Sequence, residues 1–210
     1  MIWLLAGAAL ALIYGAVFCH QGSSWPRTAI KTGAVVLLAL WALAGQGPPI
    51  LIWALLASAL GDALLSRPGE RAFLAGAGAF GIGHLCYIWL FLTHPAAHPA
   101  LIGARWPAAV LLALLAVGMG AMLWRNAGAL RGPVVGYVGV VTLMGLAALA
   151  LPVEMPLRLA VLGAGLFLVS DSLLAIETFV RPRWPAPRVL AVAVWTPYWL
   201  AQALIAAAFL

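Results

Sequence analysis

The feature that most constrains this chain is a succession of apolar runs of near-bilayer length, separated by gaps too short to hold a folded domain. A helix needs roughly 20 apolar residues to cross the hydrocarbon core of a bilayer. Eight stretches approach that length, at residues 2–18, 27–45, 48–65, 71–92, 107–124, 132–151, 156–180 and 187–210. Proline and glycine punctuate the gaps, as at Gly47-Pro48-Pro49, Pro68-Gly69, Gly132-Pro133 and Pro182, Pro185 and Pro187. Charged residues make up 8% of the chain, against about 25% in a soluble domain, so the gaps cannot supply a solvated surface. The expected fold is all-α, a polytopic membrane helical bundle of eight transmembrane helices forming one transmembrane domain over residues 1–210. The first run has no Lys or Arg before Arg27, so it lacks the positive n-region of a signal peptide and reads as a spanning helix.

Cation placement sets the expected orientation. The links after the first, third, fifth and seventh runs, with their flanks, carry Arg27, Lys31, Arg67, Arg71, Arg125, Arg131, Arg181, Arg183 and Arg188. The opposite side carries Arg105 and Arg158. By the positive-inside rule the first group is cytoplasmic, so both termini are extracytoplasmic, in a multi-pass protein of a bacterial inner membrane. Trp25, Trp106 and Trp184 fall near predicted ends, where interfacial anchors belong. The net charge of +6 is dispersed through these gaps, which excludes a nucleic-acid surface. Cys19 and Cys86 form neither a disulfide framework nor a metal spacing.

Within this apolar background two carboxylates stand out. Asp171 lies at the centre of Leu166-Phe167-Leu168-Val169-Ser170-Asp171-Ser172-Leu173-Leu174, and a shorter version of the pattern occurs at Gly61-Asp62-Ala63-Leu64-Leu65. Placing such a group inside a membrane costs roughly 2.5–3.5 kcal/mol on insertion scales, so each marks a functional-site hypothesis. Asp62 falls near the cytoplasmic end of the third run and Asp171 in the cytoplasmic half of the seventh, which runs parallel to it. Lys31 and Tyr137 share that half, and His84, Tyr198 and Gln202 lie nearer mid-depth. Six runs thus send polar groups toward one level, as a cavity open to the cytoplasmic leaflet requires. The two Asp motifs are four runs apart, consistent with a duplicated four-helix half related by an axis along the membrane normal.

Each polar group also has a structural reading. The two carboxylates can serve as ion-pair partners of Lys31 or an Arg, but two at one depth beside a lysine favour function. Ser58, Ser170 and Ser172 can bond the carboxylates or, more commonly, their own helices. Gly76, Gly78, Gly81, Gly83, Gly163 and Gly165 read as close-packing positions. His94 and His98 have the i, i+4 spacing of a metal site, but Pro95 and Pro99 break the helix that spacing needs. No zinc site is expected. Glu154 and Glu177 fall near helix ends and read as solvated. No Gly-x-Ser-x-Gly elbow supplies a serine nucleophile.

The ordered set of motifs resembles the YhhN family of multi-pass membrane proteins, which includes the TMEM86 lysoplasmalogenases. The residues that carry the resemblance are Lys31; Gly61-Asp62 with Leu64-Leu65; Phe80, Gly83-His84 and Tyr87; Tyr137 and Met144; Phe167 with Ser170-Asp171-Ser172-Leu173-Leu174; and Tyr198 and Gln202. The resemblance implies hydrolysis of the vinyl ether bond of a lysoplasmalogen, a lysophospholipid, to a fatty aldehyde and a glycerophospho-head group. It implies Asp62 and Asp171 as a pair that shares the acid and base roles, in either order. Lys31 would meet the phosphate, and His84, Tyr137, Ser170, Tyr198 and Gln202 would contact substrate or water. Membrane lipids surround the bundle and no metal or cofactor is called for. Vinyl ether cleavage suits two carboxylates, because one must protonate carbon while the other stabilises the resulting cation. The rival classes are a small lipid or solute transporter or flippase, and a non-catalytic lipid-binding membrane protein.

Overall fold

In the computed structural model, which describes residues 1–180 and 187–210, every run forms a helix. Helix α1 (Ile2–Ile13) continues into a π-helical turn, Tyr14–Phe18. Helices α2 (Trp25–Ala44), α3 (Pro49–Leu65) and α4 (Glu70–Leu92) follow, then the short α5 (Ala100–Ala104) and α6 (Trp106–Asn126). A 3₁₀ turn, Gly128–Leu130, leads into α7 (Arg131–Ala148). Helix α8 (Arg158–Ala175) also ends in a π-helical turn, Ile176–Val180, and α9 (Pro187–Ala208) closes the described residues, which contain no strand. Six helices are long and apolar enough to cross a membrane, and the protein is an integral membrane protein. Of the eight expected spans, Ile2–Phe18 and Pro49–Leu65 are apolar helices of shorter length. Arg181, Pro182, Arg183, Trp184 and Pro185 lie outside the described residues.

Local chemistry explains the helix boundaries. Ser24 caps α2 by accepting the backbone N–H of Arg27 at 3.3 Å, and Pro26 occupies the first turn, where its missing donor costs nothing. Pro49 opens α3 in the same way. The tight link from α3 to α4 passes through Gly69 at φ +103°, a conformation that a Cβ would strain.

Polar contacts tie the links together at each end of the bundle. At one end Ser23 Oγ donates to the carbonyl of Ser66 at 2.7 Å, and Arg67 donates to the carbonyl of Ser24 at 2.8 Å. Trp25 lies exposed there beneath the Arg67 guanidinium, 4.4 Å from its ring centroid. At the other end Arg105 donates to the carbonyls of Leu149 and Leu151 at 2.9 and 2.6 Å, beside the exposed Trp106. His94 and His98 follow the end of α4 at Leu92, so no helix joins them.

The packing repeats itself. Helix α1 packs on α2 as α6 packs on α7; α2 packs on α3 as α7 on α8; and α3 packs on α4 as α8 on α9. The halves meet through α4 on α7 and α2 on α9.

Candidate active site

Asp62 sits three residues from the end of α3, where Gly61 brings α3 close to α4. A Cβ at Gly61 would stand 2.5 Å from the Phe80 ring. The Asp62 side chain is fully buried, and both of its oxygens are engaged. Lys31 Nζ of α2 lies 2.8 Å from Oδ1, and the Tyr198 hydroxyl of α9 donates to Oδ2 at 2.6 Å. Pro197 interrupts the backbone ladder of α9 just before Tyr198. Ser170 Oγ of α8 donates to the nearby Val194 carbonyl at 2.8 Å, fastening α9 to α8 at that level.

Asp171 has a different environment. The Tyr137 hydroxyl of α7 donates to its Oδ2 at 2.8 Å. His84 Nε2 of α4 lies 3.3 Å from the same oxygen and 3.1 Å from the Tyr137 hydroxyl. The His84 ring packs edge-on against Phe167 with centroids 4.5 Å apart, and its buried Nδ1 has no partner among the described residues. Asp171 Oδ1 has no side-chain partner among the described residues, and the side chain retains 13% exposure.

The two carboxylates therefore do not hold each other; each is held by the opposite half of the bundle as well as its own. Asp62 of α3 is gripped by α2 and by α9. Asp171 of α8 is gripped by α7, the counterpart of α2, and by α4, the counterpart of α9. This crossing ties the two halves together at the level of the charges.

Both carboxylates line one cavity of about 700 Å³, within the roughly 300–1,000 Å³ of small-molecule sites. Lys31, Tyr137, Ser170 and Tyr198 also line it. His84 stands behind Asp171. Gln202 stands a turn beyond Tyr198 on α9, where it accepts a short hydrogen bond from the Tyr87 hydroxyl. Ser58 turns back onto its own helix, donating to the Ala54 carbonyl at 2.9 Å. From this polar wall the cavity runs into an apolar groove lined by Leu112, Leu115, Ala116 and Met119 of α6 and by Val138 and Val141 of α7. Leu112 and Leu168 meet over Gly145, where a Cβ would stand 2.8 Å from Leu168.

Among the lining residues that the sequence did not single out are Tyr14, Arg27, Glu177 and Trp195. Glu154 is exposed as expected, whereas Glu177 is half-buried at the cavity mouth. Tyrosine offered a signal for one of them. The chain has only four, and Tyr14, Tyr137 and Tyr198 line the cavity while Tyr87 braces Gln202 behind it.

A model of the YhhN family matches residues 26–209. Over 195 residues the chain is 35% identical to a lysoplasmalogenase of Mycobacterium bovis, an alignment covering 90% of this chain and 72% of the relative. A Mycobacterium tuberculosis lysoplasmalogenase matches equally well over the same lengths. The human lysoplasmalogenase TMEM86B is 33% identical over 201 residues, covering 87% of this chain and 74% of the relative. No solved structure matches the chain.

Proposed function

Because the chain belongs to the YhhN family, we propose that it hydrolyses the vinyl ether bond of lysoplasmalogens, releasing a fatty aldehyde and a glycerophospho-head group. The observation that carries this reading is one cavity with two carboxylates in unlike settings, opening into an apolar groove that fits an alkenyl chain.

The partners of each carboxylate suggest its role. Asp62 accepts from the Lys31 ammonium and the Tyr198 phenol, and is assigned the base role. Asp171 meets Tyr137 and His84 at Oδ2, leaving Oδ1 to serve the substrate as the general acid. In this scheme Asp171 protonates the β-carbon of the vinyl ether, and the double-bond electrons leave an oxocarbenium ion whose charge Asp62 offsets. Water then adds to the α-carbon and gives its proton to Asp62. In the collapse of the hemiacetal, Asp171 takes the hydroxyl proton while Asp62 returns its own to the departing glycerol oxygen. One water is consumed and both residues regain their starting states. His84 and Tyr137 hold Asp171, and Lys31 and Tyr198 hold Asp62.

The cation-rich end is assigned to the cytoplasm, in a bacterial inner membrane, so substrate enters from the cytoplasmic leaflet. Purified protein in deuterated water tests the reaction. Aldehyde should appear from a lysoplasmalogen, with one deuterium at carbon 2, and not from the ester or saturated-ether lysolipid. Cleavage of the ester, or aldehyde lacking that deuterium, rules out carbon protonation. Movement of intact lysolipid across sealed vesicles without aldehyde is the transporter's signature.

A further inference from the structure

The mouth of the cavity carries two charges that the reaction scheme does not use. Arg27 sits one turn before Lys31 on α2, on the same face, and Glu177 sits in the π-helical turn that ends α8. Both line the cavity. Among the described residues, no ion pair engages either of them. Arg27 is held in place at its inner nitrogen. Its Nε donates to the Phe18 carbonyl at 3.2 Å, in the π-helical turn that ends α1, and its Cζ lies 5.7 Å from the Tyr14 ring centroid. Among the described residues its two terminal guanidinium nitrogens have no hydrogen-bond partner, which leaves them for a ligand. Both charges act on the buried thiol of Cys19, which lines the same cavity. Burial pushes that thiol up, Arg27 pulls against the shift and Glu177 adds to it.

Depth selects Arg27 over Lys31 as the anion site. The Lys31 ammonium is already engaged by Asp62 at 2.8 Å. Arg27 lies about 6 Å farther along the α2 axis toward the mouth, at 1.5 Å per residue. In a lysoplasmalogen six bonds separate the vinyl ether carbon from phosphorus, roughly 7 Å extended at bond lengths near 1.5 Å. With the double bond between the two carboxylates, the phosphate reaches the level of Arg27. A guanidinium presents paired donors that match phosphate oxygens. Four further bonds carry the chain from phosphorus to an ethanolamine or choline nitrogen, and Glu177 is the carboxylate in the same lining that the reaction scheme leaves for it.

We propose that the two π-helical turns frame a subsite for a zwitterionic head group, in which Arg27 binds the phosphate and Glu177 the ammonium. The proposal rests on the lysoplasmalogen reading for its choice of lipid, but its test needs no turnover. Uncleavable saturated-ether probes, 1-O-hexadecyl lysophosphatidylethanolamine, 1-O-hexadecyl lysophosphatidic acid and the neutral 1-O-hexadecylglycerol, are titrated against the full-length protein in detergent by tryptophan fluorescence. Arg27→Gln should weaken both phospholipids about tenfold and leave the neutral lipid unchanged, with Arg27→Lys recovering part of the loss. Glu177→Gln should weaken the ethanolamine lipid about tenfold and leave the phosphate monoester within about twofold. The assignment is overturned if Arg27→Gln weakens the neutral lipid as much as the charged ones, or if Glu177→Gln does not distinguish the two phospholipids. Failure of the catalytic reading is visible separately, as wild-type protein that releases no aldehyde from a vinyl ether.

Discussion

Asp62→Asn removes the fully buried carboxylate of an ion pair and leaves the Lys31 ammonium without its partner. Losing one member of such a pair costs about 3–5 kcal/mol, most of it the penalty for the charge left behind. Two features place this substitution near the lower end. Lys31 keeps 16% side-chain exposure, so its ammonium can draw on cavity water, and an Asn oxygen still accepts from Tyr198. The expected loss is about 3 kcal/mol, or a fall in melting temperature of roughly 6–12 °C for a chain of this size. Lys31→Met strands a carboxylate with no exposure at all, and its cost belongs at the upper end of the same range. In Lys31→Met/Asp62→Asn no charge remains, so the double variant should recover at least about 2 kcal/mol relative to the sum of the single losses. Thermal unfolding in detergent measures the cycle, with aldehyde release measured on the same samples. The double variant should be folded and inactive. Additivity within about 0.5 kcal/mol would refute the ion pair. Activity in the double variant would leave the pair intact but remove Asp62 from the reaction.

The remaining predictions probe the rest of the cavity. Asp171→Asn should lower kcat for aldehyde release by about 10²–10⁴, the scale of a lost general acid, with a smaller fall in melting temperature than Asp62→Asn. Tyr137→Phe removes the hydroxyl bonded to both Asp171 and His84, and should lower kcat while leaving a helical, monodisperse protein by circular dichroism and gel filtration. Gly61→Ala should destabilise by about 1–3 kcal/mol in a thermal melt, because its methyl must displace the Phe80 ring that packs 5.6 Å from Tyr198. Ala116→Trp fills the apolar groove. In an aldehyde assay across chain lengths it should lower turnover of long alkenyl chains more than short ones.

Much of the fold was legible because a bilayer imposes a length and a polarity on every segment that crosses it. The runs, the proline and glycine breaks and the sorting of cations to alternate gaps follow from residue type and order alone. The two carboxylates were legible for the same reason, since charge inside an apolar run is costly and therefore conspicuous. Arg27 and Glu177 were not. Near a helix end a charged residue has an ordinary solvated role, and nothing in the local sequence separates that role from lining a cavity mouth.

Hydropathy and motif order, acting through the cost of burying charge, determined that this chain is a helical membrane protein with two carboxylates set inside its apolar runs. Which group faces which carboxylate was decided only by the tertiary structure. Sequence position offers no measure of the rotation of one helix against another, and that rotation gives Asp62 to Lys31 and Tyr198 and gives Asp171 to Tyr137 and His84. The two motifs look alike as strings, Gly-Asp-Ala-Leu-Leu and Ser-Asp-Ser-Leu-Leu. They become chemically unlike because packing sets a lysine and a tyrosine beside one and a histidine and a tyrosine beside the other.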